Sequence, residues 1–122
     1  MYVKKESVSI TTDASGDATG EITVPLNGRV LQVDIDTGDW ASTVDVTVKV
    51  ARTQQQILAA SPSADANYAP RQATHTTAGA AALYASGGIA VLDYLFLADD
   101  TLEITIAQGG NTKTGTITVQ VG

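Results

Sequence analysis

A single histidine, His75, and thirteen carboxylates are the groups from which this 122-residue chain would have to build a reaction centre, since it contains no cysteine. The many serines and aspartates formally allow a Ser-His-Asp arrangement. His75, however, sits in the segment QATHTTAG, with no nucleophile elbow of the G-x-S-x-G kind beside it. The segment therefore reads as carrying an ordinary surface histidine. Zinc is excluded on count, because no thiolate is available and an imidazole site normally takes two or three histidines.

The acidic residues raise other chemistry. Asp34, Asp36 and Asp39 in DIDTGD space carboxylates in the manner that hard cations such as calcium prefer. An EF-hand loop would place an oxygen ligand where this chain has Gly38, and a glycine where it has Asp39. A strand edge running into a turn explains the same residues, with Asp34 and Asp36 facing solvent. Asp99, Asp100 and Glu103 suggest the paired acids of glycoside hydrolysis, which must face each other across a cleft; adjacent acids at a turn read instead as solvated punctuation. Gly109 and Gly110 in GGNTKTG lead into a strand, whereas a phosphate-binding loop would open a helix. Trp40 in TGDWAST is the ring best suited to stack a sugar, and the alternative is a lid on an apolar core. No catalytic, cofactor-binding or metal-binding residue is assigned, and the chain is not expected to be an enzyme.

The elements that would position these groups are strands. Apolar residues alternate with polar ones at 6–12 (ESVSITT) and 21–25, which the 13–17 turn DASGD is expected to join as a hairpin. Asn27-Gly28 is the strongest tight-turn signal. Residues 29–36 then place Leu31, Val33 and Ile35 on one face, and 43–50 place Val44, Val46, Val48 and Val50 inward. Residues 52–60 are helix-tolerant with little amphipathic pattern. Residues 61–79 show no period and are expected to form a long irregular arm, ordered against something else, such as a neighbouring copy. The run IAVLDYLFL (89–97) is either a strand buried on both sides or a contact surface. Residues 101–107 and 114–121, joined by QGGNTK, are expected to form a last hairpin. The whole predicts an all-β single domain over 1–122: an antiparallel β-sandwich or jelly roll.

Charge narrows the partners. Seven Lys and Arg stand against thirteen acids, for a formal net charge of -6, which repels nucleic acid and anionic membranes. The cations are scattered in sequence from Lys4 to Lys113. The opening MYVKKESVSITT has no apolar run of the signal-peptide kind, and no stretch approaches the ~18 apolar residues of a membrane span. Neither nucleic acid nor membrane is expected as a partner.

The segment VSITTDASGDATGEITVPLNGRVLQVDID, the central Tyr68-Ala69-Pro70-Arg71 followed by Thr74 and Gly79, and the ending GGIAVLDYLFLADDTLEITIAQGGNTKTGTITVQVG together resemble small virion proteins encoded with the head genes of tailed bacteriophages. The resemblance implies a capsid decoration, or cement, protein on the outer capsid surface. It further implies the major capsid protein as partner, and self-association as a homotrimer or dimer. Tyr2, Val3, Lys4 and Lys5, with Tyr68, Pro70 and Arg71 of the arm, are the expected contact residues, because they combine aromatic anchors with cations that suit an acidic shell. A tail, baseplate or fibre-associated module and a carbohydrate-binding module are the rival readings.

Overall fold

Alternating valine and isoleucine leave each strand with one face that only a second sheet can cover. The computed structural model, which describes residues 2–122, meets that demand with nine strands and no helix among the described residues. They are β1 (Lys4–Thr11), β2 (Ala18–Asp36), β3 (Asp45–Val50), β4 (Gln56–Ala60), β5 (Ala66–Tyr68), β6 (Arg71–Ala73), β7 (Leu92–Tyr94), β8 (Phe96–Ala107) and β9 (Thr114–Val121). All pairings are antiparallel.

The 19-residue β2 joins the two layers. Its first part pairs with β8, from Ala18 opposite Ile106 to Ile22 opposite Leu102, and its last part pairs with β9, ending with Asp36 opposite Thr116. Between them the register slips twice, around Leu26. Pro25 cannot donate to a ladder, and Gly28 takes φ +110°, with its α-carbon facing the Gly122 carbonyl. The strand therefore turns from one layer into the other. One layer runs β1-β9-β2-β5 and the other β2-β8-β3-β4.

Three expected connections differ. The DASGD turn forms, with the Asp13 carboxylate accepting from the Ser15 and Asp17 N–H groups, yet β1 pairs with β9 and not with β2. Asn27-Gly28 lies inside β2 as part of its bend, where the Asn27 side-chain oxygen accepts from the Asp99 N–H. QGGNTK carries the chain from β8 in one layer to β9 in the other. Turn residues specify that the chain reverses. Whether it returns beside its own strand, about 4.8 Å away, or in the facing sheet, about 10 Å away, depends on which apolar faces must meet.

Register shifts account for smaller differences. The slip between Val30 and Gln32 makes Val30 a core residue and leaves Leu31 half-buried. Residues 56–60 are extended and pair with β3. The segment 61–79 contains two short strands, β5 on β2 and β6 on β7, and is otherwise turn and irregular chain. In the 89–97 run only Leu95 and Leu97 are buried, while Ile89, Leu92 and Phe96 are 79%, 57% and 59% exposed. That run is not a strand buried on both sides.

The core is one cluster between the layers. Val33, Ile117 and Val119 meet Val46, Val48, Leu102 and Ile104, all 0–1% exposed. Each such side chain contributes about 1.5–3 kcal/mol by leaving water. The edge strand β1 turns Lys4 and Glu6 toward the same side as Val8 and Ile10, paired at 3.9 Å. Inward charges of this kind discourage edge-to-edge stacking.

Candidate functional site

The ladders give the sandwich two unlike ends. At one, loops 12–17, 37–44 and 108–113 are zipped together: the Gly109 N–H donates to the Gly16 carbonyl, Ala41 N–H to Gly109, and Asp39 N–H to Thr114, at 2.8–2.9 Å. This is the turn pole. At the other, Lys4 pairs with Val121, Arg29 and Gly122 exchange two backbone bonds, and the Val30 N–H reaches the Leu95 carbonyl. From this second end residues 71–94 project as a ribbon, so it is the ribbon pole.

The ribbon is built mainly on backbone bonds, with the Thr74 hydroxyl adding a bond to the Val91 carbonyl. Its root is the β6–β7 ladder, Arg71 to Ala73 opposite Tyr94 to Leu92. Beyond the root the chain divides into two lobes, held by a closed ring of three bonds: Thr74 N–H to Val91, Val91 N–H to Ala82, and Ala82 N–H to Thr74. The first lobe (74–82) reverses at Gly79, the second (82–91) at Gly87. No residue from 71 to 94 is buried. Of eight exposed large apolar side chains among the described residues, Leu83, Tyr84, Ile89, Leu92 and Phe96 belong to the ribbon or its root, and Tyr2 and Val3 lie at the same pole.

Charge is segregated along the same axis. Lys4, Lys5, Arg29, Arg52 and Arg71, five of the seven cations, lie at the ribbon pole, interspersed with Glu6, Asp93, Asp99 and Asp100. Asp13, Asp17, Asp36, Asp39, Asp45 and Asp65 gather at the turn pole with Lys113. Cations that are dispersed in sequence thus share one end of the fold.

The expected contact residues divide. Tyr2 is 88% exposed and Val3 44%, and Lys5 points to solvent from β1. Tyr68 is half-buried against the core and Pro70 is buried, so both pack within the domain. Arg71 is exposed, and its guanidinium donates to the Pro70 carbonyl and stacks on Tyr94. The sequence did not point to Tyr84 or Arg29 as contact residues, and Tyr94 stands out in it only as part of the 89–97 run. Tyr2 to Lys5, Arg71 and the apolar run that begins at Ile89 are what flagged this end.

The chemical candidates are drawn into structural work. His75 is exposed and bridges Ala81 in the first lobe. Asp34 accepts from the Gln120 amide and Asp36 from the Gly38 N–H, and no three His, Cys, Asp or Glu groups converge among the described residues. Asp100 is 4% exposed, not solvated punctuation. The Ala98 N–H and the Arg52 guanidinium hold its carboxyl below the usual carboxylate range, against the opposing effect of burial. Trp40 is 6% exposed and lies over Gly115, its indole N–H without an acceptor among the described residues. It is a lid on the core and offers no face to a sugar. A shallow depression of about 540 Å³ beside Asp13, Asp17, Thr19 and Thr105 holds neither a nucleophile–base pair nor an aromatic ring.

No protein-family model, curated protein or solved structure matches this chain.

Proposed function

We propose that this chain is a structural virion protein that decorates and stabilises the outer surface of a bacteriophage capsid by binding the major capsid protein. The observation that carries the reading is the polarity of the sandwich. Tyr2, Val3 and Phe96 are exposed at the end where five cations gather, and six carboxylates face the other way. A domain seated by its ribbon pole presents aromatic anchors and five cations, only partly offset by Glu6, Asp93, Asp99 and Asp100, to an acidic shell while the six turn-pole carboxylates point outward.

The mechanism is mechanical. Two sheets sharing one packed core form a rigid body. Seating it across a seam between capsid subunits would bury on the order of 1,200–2,000 Å², and that burial has to be undone before the seam opens. A few central side chains carry most of the energy of such an interface. Tyr2 and Lys5 are assigned that part, since neither contributes to the core.

Co-sedimentation of the purified chain with undecorated shells tests the assignment. The pair Tyr2→Ala and Lys5→Glu should lower the bound fraction about tenfold or more, with the far-ultraviolet spectrum unchanged. Equal binding by the variant and the native chain would remove the ribbon pole from the contact. Binding to tails or baseplates in place of shells would favour the rival virion location.

A further inference from the structure

We propose that the 71–94 ribbon is a self-association element, in which the second lobe of one copy packs on the first lobe of another. The two lobes differ in kind. The first, TTAGAAA at its centre, presents alanine, glycine and threonine, with Ala78, Ala80 and Ala81 exposed. The second carries the large side chains, Leu83, Tyr84 and Ile89, the last two 75% and 79% exposed. Small residues form a floor that another backbone approaches closely, and large ones are the knobs that fill it.

Both faces of the second lobe are apolar. Leu83 bridges Ala90, and the next pair out, Tyr84 with Ile89, shares a backbone bond. Successive strand residues point to opposite faces, so Leu83 lies on one side and Tyr84 with Ile89 on the other. A lobe of this kind is suited to insertion between surfaces, whereas a hairpin meant for water keeps one face polar. A ribbon without a buried residue is at best marginally stable alone, and a second copy supplies the missing layer.

Knob and floor on the same chain make a second copy the occupant, and charge restricts where copies can meet. Each copy carries -6, so copies repel across most of their surfaces. From 72 to 92 the ribbon contains no Lys, Arg, Asp or Glu. Copies that meet there keep the six turn-pole carboxylates far apart. The four apolar side chains Leu83, Tyr84, Ile89 and Leu92 expose on the order of 500 Å², the apolar centre of a contact whose usual size is about 800 Å² per partner. Because knob and floor are different surfaces of one chain, the contact is heterologous: it gives a ring if the rotation between copies closes and an open string of copies if it does not.

The inference is independent of the shell, and solution measurements test it. Light scattering after size exclusion should find the native chain at a multiple of its 12.6 kDa mass. Ile89→Asp, which spoils the knob, and Ala81→Arg, which spoils the floor, should each run at the monomer mass with native circular dichroism. An equal mixture of the two retains one intact knob and one intact floor, and should run as a dimer. A native chain that is monomeric at its highest soluble concentration overturns the inference. So does either variant keeping the native mass, or a mixture that stays monomeric. Loss of shell binding by a chain that still self-associates would count against the shell alone.

Discussion

The guanidinium carbon of Arg71 lies 4.0 Å from the centre of the Tyr94 ring, and the same two residues are backbone partners on the first rung of the ribbon. Arg29, from β2, approaches that ring at 5.2 Å and also donates to the Gly122 carbonyl. One aromatic ring thus ties the ribbon to the body of the sandwich.

Removing the ring should loosen the ribbon and spare the core. Each cation–π contact at an exposed site contributes about 0.5–1 kcal/mol. Tyr94→Leu should speed hydrogen exchange at the Thr74, Ala82 and Val91 amides severalfold while leaving Ile104 and Val119 protected. Exchange that rises equally in the core would mean that the stack supports the whole fold.

Gly115→Ala should destabilise the domain by about 1–3 kcal/mol, the usual cost of overpacking. A β-carbon there would come within 2.5 Å of the Trp40 ring. Chemical denaturation followed by tryptophan fluorescence reports both effects, because the ring that must move is the chain's single tryptophan. An unshifted midpoint would show that the lid can slide.

Asp100→Asn should lower the melting temperature at neutral pH by several degrees. The folded-state pKa of Asp100 is depressed by the Ala98 N–H and Arg52, so its contribution is fully present above the ordinary carboxylate value, about 3.9. It is lost as pH falls through the lower folded value. The gap between native and variant melting curves should therefore be widest near pH 7 and shrink below about pH 4. A gap of constant width would assign the loss to packing.

Ile104→Ala should cost about 2–5 kcal/mol, since its side chain is fully buried at the centre of β8 between β2 and β3 and leaves a cavity that the facing sheet fills poorly. A urea midpoint within error of the native one would contradict a packed two-layer core.

Much of the core was legible in the sequence, because strand period and burial are the same fact: Val44, Val46, Val48 and Val50 read as inward and are 0–2% exposed. What failed was pairing. Turn residues at 13–17 and 108–113 signal reversal, and nothing local distinguishes a hairpin from a crossing to the facing sheet. Alternation places Leu31 on the face of Val33, but a one-residue slip beside Val30 exchanges faces. The ribbon pole was legible only in part, through Tyr2 to Lys5 and Arg71, for a related reason. Lys5, Arg29, Arg52 and Arg71 are far apart in the chain, and only the ladders that join β1 to β9 and β2 to β8 bring them to one end. Tyr68 and Pro70 attracted notice as an aromatic and a proline in an unpatterned segment, but pairing with Val33 draws Tyr68 onto the body.

A cryo-electron microscopy map of a tailed-phage particle bearing this chain tests the central claim most directly. The account predicts density for the sandwich on the outer shell, with Tyr2 and Lys5 against the major capsid protein and the Asp13 and Asp17 turn outward. Density confined to the tail or baseplate, or a sandwich seated by its acidic turns, would contradict it.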